Sequence, residues 1–132
     1  MNNCIFCQIA RGEKTANIIY ADENAICFLP KKIEVYGHTL IVPKQHFQDL
    51  YDIPPDVLCQ LTAFVQILTK EYKNKIGATG MNVLHASGKA GQQSVSHFHF
   101  HLLPRFENDG LDTWPKLLKK DFHAEDIWQK IK

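Results

Sequence analysis

The sequence predicts an α+β fold, with a mainly antiparallel sheet and helices packed on it. Three observations carry this. Five stretches are rich in apolar and β-compatible residues. One stretch, 54–77, repeats apolar side chains at helical spacing. The strands are separated by tight turns rather than by alternating helices, which disfavours a β-α-β arrangement.

The elements follow in order. "FCQIARGE" reads as a short helix stopped by Gly12. "NIIYAD" and "NAICFL", separated by Asp22, Glu23 and Asn24, read as a hairpin. "GHTLIVPK" is a third strand with Pro43 near its end. In "PPDVLCQLTAFVQILTKEYKNKIG" the prolines stand at the start, where a helix lacks N–H partners anyway. There Leu58, Leu61, Phe64, Val65, Leu68 and Tyr72 form the buried stripe, and Gly77 is the expected C-cap. "GMNVLHA" and "SVSHFHFHLL" are two further strands joined by "SGKAGQQ". "KKDFHAEDIWQKIK" is a terminal helix.

At 132 residues the chain fits one domain. Such a domain buries roughly two-thirds of its surface, enough for a core without staples. Fifteen basic and 14 acidic residues leave a formal charge of +1. That balance argues against a nucleic-acid partner, although a local phosphate pocket needs only a few donors. "MNNCIFCQIARGEK" lacks the apolar run of a signal peptide, and no segment approaches a membrane span. The chain therefore reads as cytoplasmic, with its four cysteines reduced. Cys27 and Cys59 are expected to be small core residues.

The chemistry concentrates in "SVSHFHFHLLPR". In a strand, His97, His99 and His101 share one face, about 7 Å apart, while Phe98, Phe100 and Leu102 share the other. Alternation explains the phenylalanines as core. It does not explain an opposite face made of histidine. Imidazoles at i and i+2 suit a metal; one ring acting as nucleophile while its neighbours hold the substrate suits phosphorus. The nearest acids, Glu107 and Asp109, lie beyond Pro104, which favours phosphoryl or nucleotidyl chemistry. The preceding "SGKAGQQS" has two glycines and small residues, a composition that turns backbone N–H groups towards an anion. It lacks Walker A spacing. Separately, Cys4 and Cys7 form a Cys-x-x-Cys pair with no strand before it, unlike a thioredoxin-type redox pair. A zinc site needs two more ligands, and spacing does not choose among the histidines.

Together these stretches resemble the histidine-triad (HIT) superfamily, near its Hint branch. "HFHFHLL" matches the signature His-φ-His-φ-His-φ-φ, with φ apolar, and "CIFCQIARGE", "GHTLIVPKQH" and "GKAGQQSVSHFHFHLLPR" extend the likeness over nearly the whole chain. The resemblance implies one HIT domain over residues 1–132, with a helical tail from about residue 116 to 132. It implies a five-stranded antiparallel sheet, and a homodimer that joins two such sheets into ten strands. It implies cleavage of a nucleoside phosphoramidate or dinucleoside polyphosphate through a covalent nucleotidyl-histidine, releasing a nucleoside monophosphate. A purine nucleotide is the implied substrate.

By the same resemblance His99 is the nucleophile, and His101 contacts the phosphate. His38 lies in the same pocket, and Ser94 meets the phosphate or leaving group. Gln93, Gly91 and their neighbours supply backbone donors. Cys4, Cys7, His46 and His97 match the ligands of a structural zinc, and no catalytic metal is expected. The chain departs from the pattern at Pro30, where many relatives carry an Asp that binds ribose. Glu34 or backbone groups are left for that contact. "HASGK" stands where relatives often have Asn, with His85 and Ser87 as the polar residues available. Ile5, Phe6, Ile18, Phe28 and Leu29 are candidates for an apolar base slot or for plain core. Two rival readings are a nucleotide-binding or scaffolding module with incidental catalysis, and a metallohydrolase with its metal on the triad.

Overall fold

In the computed structural model, which describes residues 3–33 and 35–132, every strand runs antiparallel to its neighbours. The elements are α1 (Ile5–Ala10), β1 (Asn17–Ala21), β2 (Ala25–Leu29), β3 (Thr39–Pro43), α2 (Pro55–Ile76), β4 (Gly80–Leu84), β5 (Phe100–Arg105) and α3 (Ala124–Ile131). The strands form one sheet in the order β1-β2-β3-β5-β4. The α+β class and the five-stranded sheet stand as the sequence predicts.

The local causes are legible. The Asp22 carboxylate accepts the N–H groups of Asn24 and Ala25, both at 2.8 Å, and so closes the β1–β2 turn. Pro54 caps α2 from an extended conformation, and Gly77 ends it at φ +74°, where a side chain would be strained.

The sheet is covered on both faces. Ala25 and Cys27 of β2, Ile41 of β3 and Leu102 of β5 meet Leu61, Phe64, Leu68 and Tyr72 of α2. The alternate residues, Ile26, Phe28, Leu40 and Val42, meet Phe6 and Ile9 of α1. Each buried Leu, Ile, Val or Phe among them contributes about 1.5–3 kcal/mol. β3 is the hinge of the site. Its Thr39 pairs with Leu102 and its Leu40 with His101. Tyr72 donates its O–H to Thr39 Oγ1 (2.6 Å), and Thr39 donates onward to the Gly37 carbonyl (2.8 Å). That fixes the turn before His38. Gly37 is required there: its φ is +80°, and a Cβ would stand 2.9 Å from Pro104 Cγ.

Several expectations need correction. The last strand is Phe100–Arg105, not 94–103, so only His101 lies in it. His97 and His99 precede the strand and are buried, because α1 covers the face expected to meet solvent. Cys59 is exposed, since it falls off the apolar stripe of α2. Ile5 and Ile18 are also exposed, so neither is core. The terminal helix starts at Ala124 rather than near 119, and all its residues are exposed. Glu34 lies outside the described residues.

Candidate active site and metal centre

Residues 97–99 lie outside the strand ladder, so other bonds must hold them. The Phe98 N–H donates to the Phe47 carbonyl (2.7 Å). His97 Nε2–H donates to the Pro43 carbonyl (2.8 Å). The segment that follows β3 is thus the brace of the site. It supplies His46, the Phe47 carbonyl, the Gln48 carbonyl, which accepts from Gln93 Nε2 (2.6 Å), and the Leu50 N–H, which donates to Ser87 Oγ (3.0 Å). The Asp52 carboxylate holds this segment by accepting the N–H groups of Gln48 and Asp49. Apart from His46, nothing in "QHFQDL" announces this role in the sequence.

Cys4, Cys7, His46 and His97 come together, with all four donor atoms within 4.8 Å of one another. His97 Nδ1 stands 3.4 Å from Cys4 Sγ and 3.5 Å from Cys7 Sγ, and His46 Nδ1 stands 3.3 Å from Cys7 Sγ. Donors on a tetrahedral ion with bonds of 2.0–2.3 Å stand about 3.5 Å apart. The bond from His97 Nε2–H to Pro43 leaves Nδ1 as the lone-pair nitrogen facing the thiols, which is the tautomer a ligand needs. Burial pushes the Cys7 thiol up, with the Cys4 sulfur adding to it. A bound divalent cation reverses that direction and favours the thiolates.

His99 sits next along the chain. Its Nδ1–H donates to the His97 carbonyl (2.8 Å), so Nε2 carries the lone pair. The Phe6 ring meets it edge-on at 5.2 Å. His101 lies 4.8 Å away between ring centroids, and its Nδ1 is 3.0 Å from His38 Nε2. Burial is the first cause that lowers His99. It also pushes His101 down to about 4, aided by His99 and His38. The folded protein therefore keeps these rings neutral where an unfolded chain takes up protons.

Stability should accordingly hold above pH 6.5 and fall steadily as pH drops from 6.5 towards about 4, because the unfolded state binds the extra protons. Thermal melts across that range check this, and a Tm that stays constant would contradict it.

The loop between β4 and residue 97 is folded on itself. The N–H groups of Gly91 and Gln93 donate to the Gly88 carbonyl, and that of Gln92 to Lys89. Gln93 Oε1 accepts the Gly88 N–H (2.8 Å), and Gln93 Nε2 also donates to the Val95 carbonyl (2.9 Å). Gly91 and Gln93 thus shape the loop, and their own N–H groups are turned inward. Gly91 has a steric reason, since a Cβ there would stand 2.6 Å from the Ser87 carbonyl oxygen. Among the described residues, the N–H groups of Ser94, Val95 and Ser96 take no protein partner. Ser94 and Ser96 are exposed. The donors next to His97 are therefore these three residues, of which the resemblance names Ser94; Val95 and Ser96 carry no signal in the sequence. A hollow of about 260 Å³ lies elsewhere, against Tyr36, Pro104, Phe106 and Leu111, and none of the histidines lines it.

A family model described as the HIT domain matches residues 11–108. The chain is 41% identical over 107 residues to an uncharacterized HIT-like protein of Methanocaldococcus jannaschii, covering 81% of this chain and 82% of the relative. It is 37% identical over 119 residues to an adenosine 5'-monophosphoramidase of Candida albicans, covering 86% of this chain and 78% of the relative. Among solved structures, a zinc-bound histidine triad family protein from Mycobacterium smegmatis aligns with a TM-score of 0.81 at 36% identity, over 85% of this chain and 81% of the other. That likeness and the donor set of this chain support a structural zinc on Cys4, Cys7, His46 and His97.

Proposed function

The chain belongs to the histidine-triad (HIT) domain family, and on that premise we propose that it is a nucleotidyl hydrolase working through a covalent intermediate on His99. The observation that carries this reading is the bond from His99 Nδ1–H to the His97 carbonyl, which leaves Nε2 as a neutral nucleophile. Nε2 attacks the α-phosphorus of a purine nucleoside phosphoramidate or dinucleoside polyphosphate. The P–N or P–O bond breaks, and its electron pair leaves with the amine or nucleotide, which takes a proton. Water then attacks the phosphorus, the P–Nε2 bond breaks, and a nucleoside monophosphate leaves. The amidase activity in the name of the Candida albicans relative supports the phosphoramidate class.

The neighbours have separate work. With His38 Nε2–H donating to His101 Nδ1, His101 keeps a proton on Nε2 for a phosphate oxygen. We assign the N–H groups of Ser94, Val95 and Ser96, which take no partner among the described residues, and the Ser94 hydroxyl to the charge that grows in the transition state. The Pro30 side chain offers no acceptor for ribose hydroxyls, which favours recognition through phosphate over sugar. Zinc, held by Cys4, Cys7, His46 and His97, supplies structure: it fixes the residue whose carbonyl orients His99.

A panel of adenosine phosphoramidate and dinucleoside polyphosphates tests the reading. Turnover of at least one is expected in a protein that carries only the zinc on Cys4, Cys7, His46 and His97. Nucleotide binding with no turnover of any would favour a binding module, and turnover that needs further metal beyond that one ion would favour a metallohydrolase.

We further propose a homodimer through β4. Both β1 and β4 are edge strands, but the register of β1 breaks between Ile18 and Tyr20, which blunts that edge. β4 pairs with β5 in unbroken register from Gly80 to Leu84, and Val83 and Leu84 are exposed. Two β4 edges joined antiparallel give the ten-stranded sheet. Sedimentation should give twice the chain mass, and Met81→Pro, which removes a backbone donor from β4, should give the monomer. A monomeric wild type would contradict the pairing.

A further inference from the structure

β4 ends too early to support the nucleophile. Its last ladder partner is Leu84, opposite His101. The His99 carbonyl is left beyond the ladder, and the next side chain supplies its donor. His85 Nδ1–H donates to the His99 carbonyl at 3.0 Å. A carbonyl only accepts, so the proton is on Nδ1 and Nε2 of the neutral ring keeps its lone pair. The Ser87 hydroxyl donates to that Nε2 at 2.5 Å. Ser87 Oγ in turn accepts the Leu50 N–H at 3.0 Å. The His85 ring lies over Phe98 with centroids 4.4 Å apart and planes 24° apart. Phe98 is fully buried, so it is a firm seat. Each group in this series has one role, and every role is filled. For a neutral His85 ring, only one arrangement of protons satisfies them all.

We infer that His85, held by Ser87, is a positioning residue for His99, because it fixes the peptide that follows the nucleophile. This rests on the covalent reading above. The His97 carbonyl already sets the His99 ring from one side. The His85 series sets the backbone from the other, and it ties both to the braced segment at Leu50. In-line attack is sensitive to such placement: a shift of about 1 Å costs up to about 100-fold in rate.

The test uses the full-length protein with its zinc. His85→Phe keeps a ring over Phe98 and removes the donor; His85→Gln restores an N–H donor. The expected result is a kcat about tenfold lower for His85→Phe, with KM and zinc content unchanged, and substantial recovery in His85→Gln. Ser87→Ala should show a smaller loss. A merely structural cap on the strand would lower Tm and leave kcat alone. Wild-type kcat in His85→Phe, or a rise in KM alone, overturns the inference. An arm without nucleotide is ring nitrogen NMR of the wild type. An Nδ1–H tautomer at His85 is expected, and an Nε2–H tautomer overturns the series whatever reaction the protein performs. If His85→Phe does not fold, Ser87→Ala and the tautomer decide. If the wild type turns over no nucleotide, it is the covalent reading that fails, and the tautomer still decides whether the His85 series exists.

Discussion

The His99→Ala substitution is expected to slow nucleotide turnover at least ~10³-fold, because it removes the nucleophilic nitrogen, Nε2, that the bond to the His97 carbonyl leaves with its lone pair. His38 and His101 are engaged with each other at 3.0 Å, and His97 Nδ1 faces the zinc thiols. Removing the ring also removes its edge contact with Phe6, a packing loss of about 1–2 kcal/mol. The variant should therefore fold, bind zinc and melt somewhat lower. Steady-state rates beside a thermal melt separate the two effects. Retention of wild-type rates by a folded His99→Ala protein would rule out covalent catalysis at this residue. His101→Gln should be milder, a loss of about 10–100-fold, since it removes one donor to the phosphate and leaves the nucleophile.

The second large effect concerns the metal. Cys7→Ser should release zinc and destabilise the fold by about 3 kcal/mol or more, which for a chain of this size lowers Tm by about 10 °C. The reason lies in what the four donors join. Cys4 and Cys7 belong to the α1 end of the chain, His46 to the brace after β3, and His97 to the nucleophile's own stretch. In the variant a serine hydroxyl stands at a buried position in place of a zinc ligand, and His97 loses what holds its Nδ1. The carbonyl that orients His99 belongs to that residue, so turnover should fall together with stability. Metal analysis and melting of wild type and Cys7→Ser check this. A variant that lacks zinc and keeps the wild-type Tm would show that the ion is not structural.

Sequence periodicity was a good guide where one period dominated. The α2 stripe needed only helical spacing, and β2 and β3 only their apolar runs, while Pro54 and Gly77 marked the ends of α2 and Asp22 the hairpin turn. The same rule misled at the triad. Alternation in "HFHFH" placed three histidines on one strand, yet the ladder starts only at Phe100. His97 and His99 are instead held by carbonyls of Pro43 and of His97 itself, and such bonds leave no periodic trace. The zinc ligands were not resolved by spacing, since His46 is 39 residues from Cys7 and His97 is 90; the likeness of motifs selected them. The composition of the loop pointed to backbone donors without saying which. The resemblance assigned them to Gly91, Gln93 and their neighbours, whereas the N–H groups of those two close the loop on Gly88. His85 and Ser87 stood out only as unmatched polar residues, because their part depends on where β4 stops.

Every step of the proposed reaction passes through a covalent nucleotidyl-His99. It is tested most directly by mixing wild-type protein with adenosine phosphoramidate, quenching within a turnover under alkaline denaturing conditions that spare a P–N bond, and reading intact mass. One adenylyl group per chain is expected, mapped to His99 and absent from His99→Ala. Turnover without any adduct, or an adduct on another residue, would contradict it.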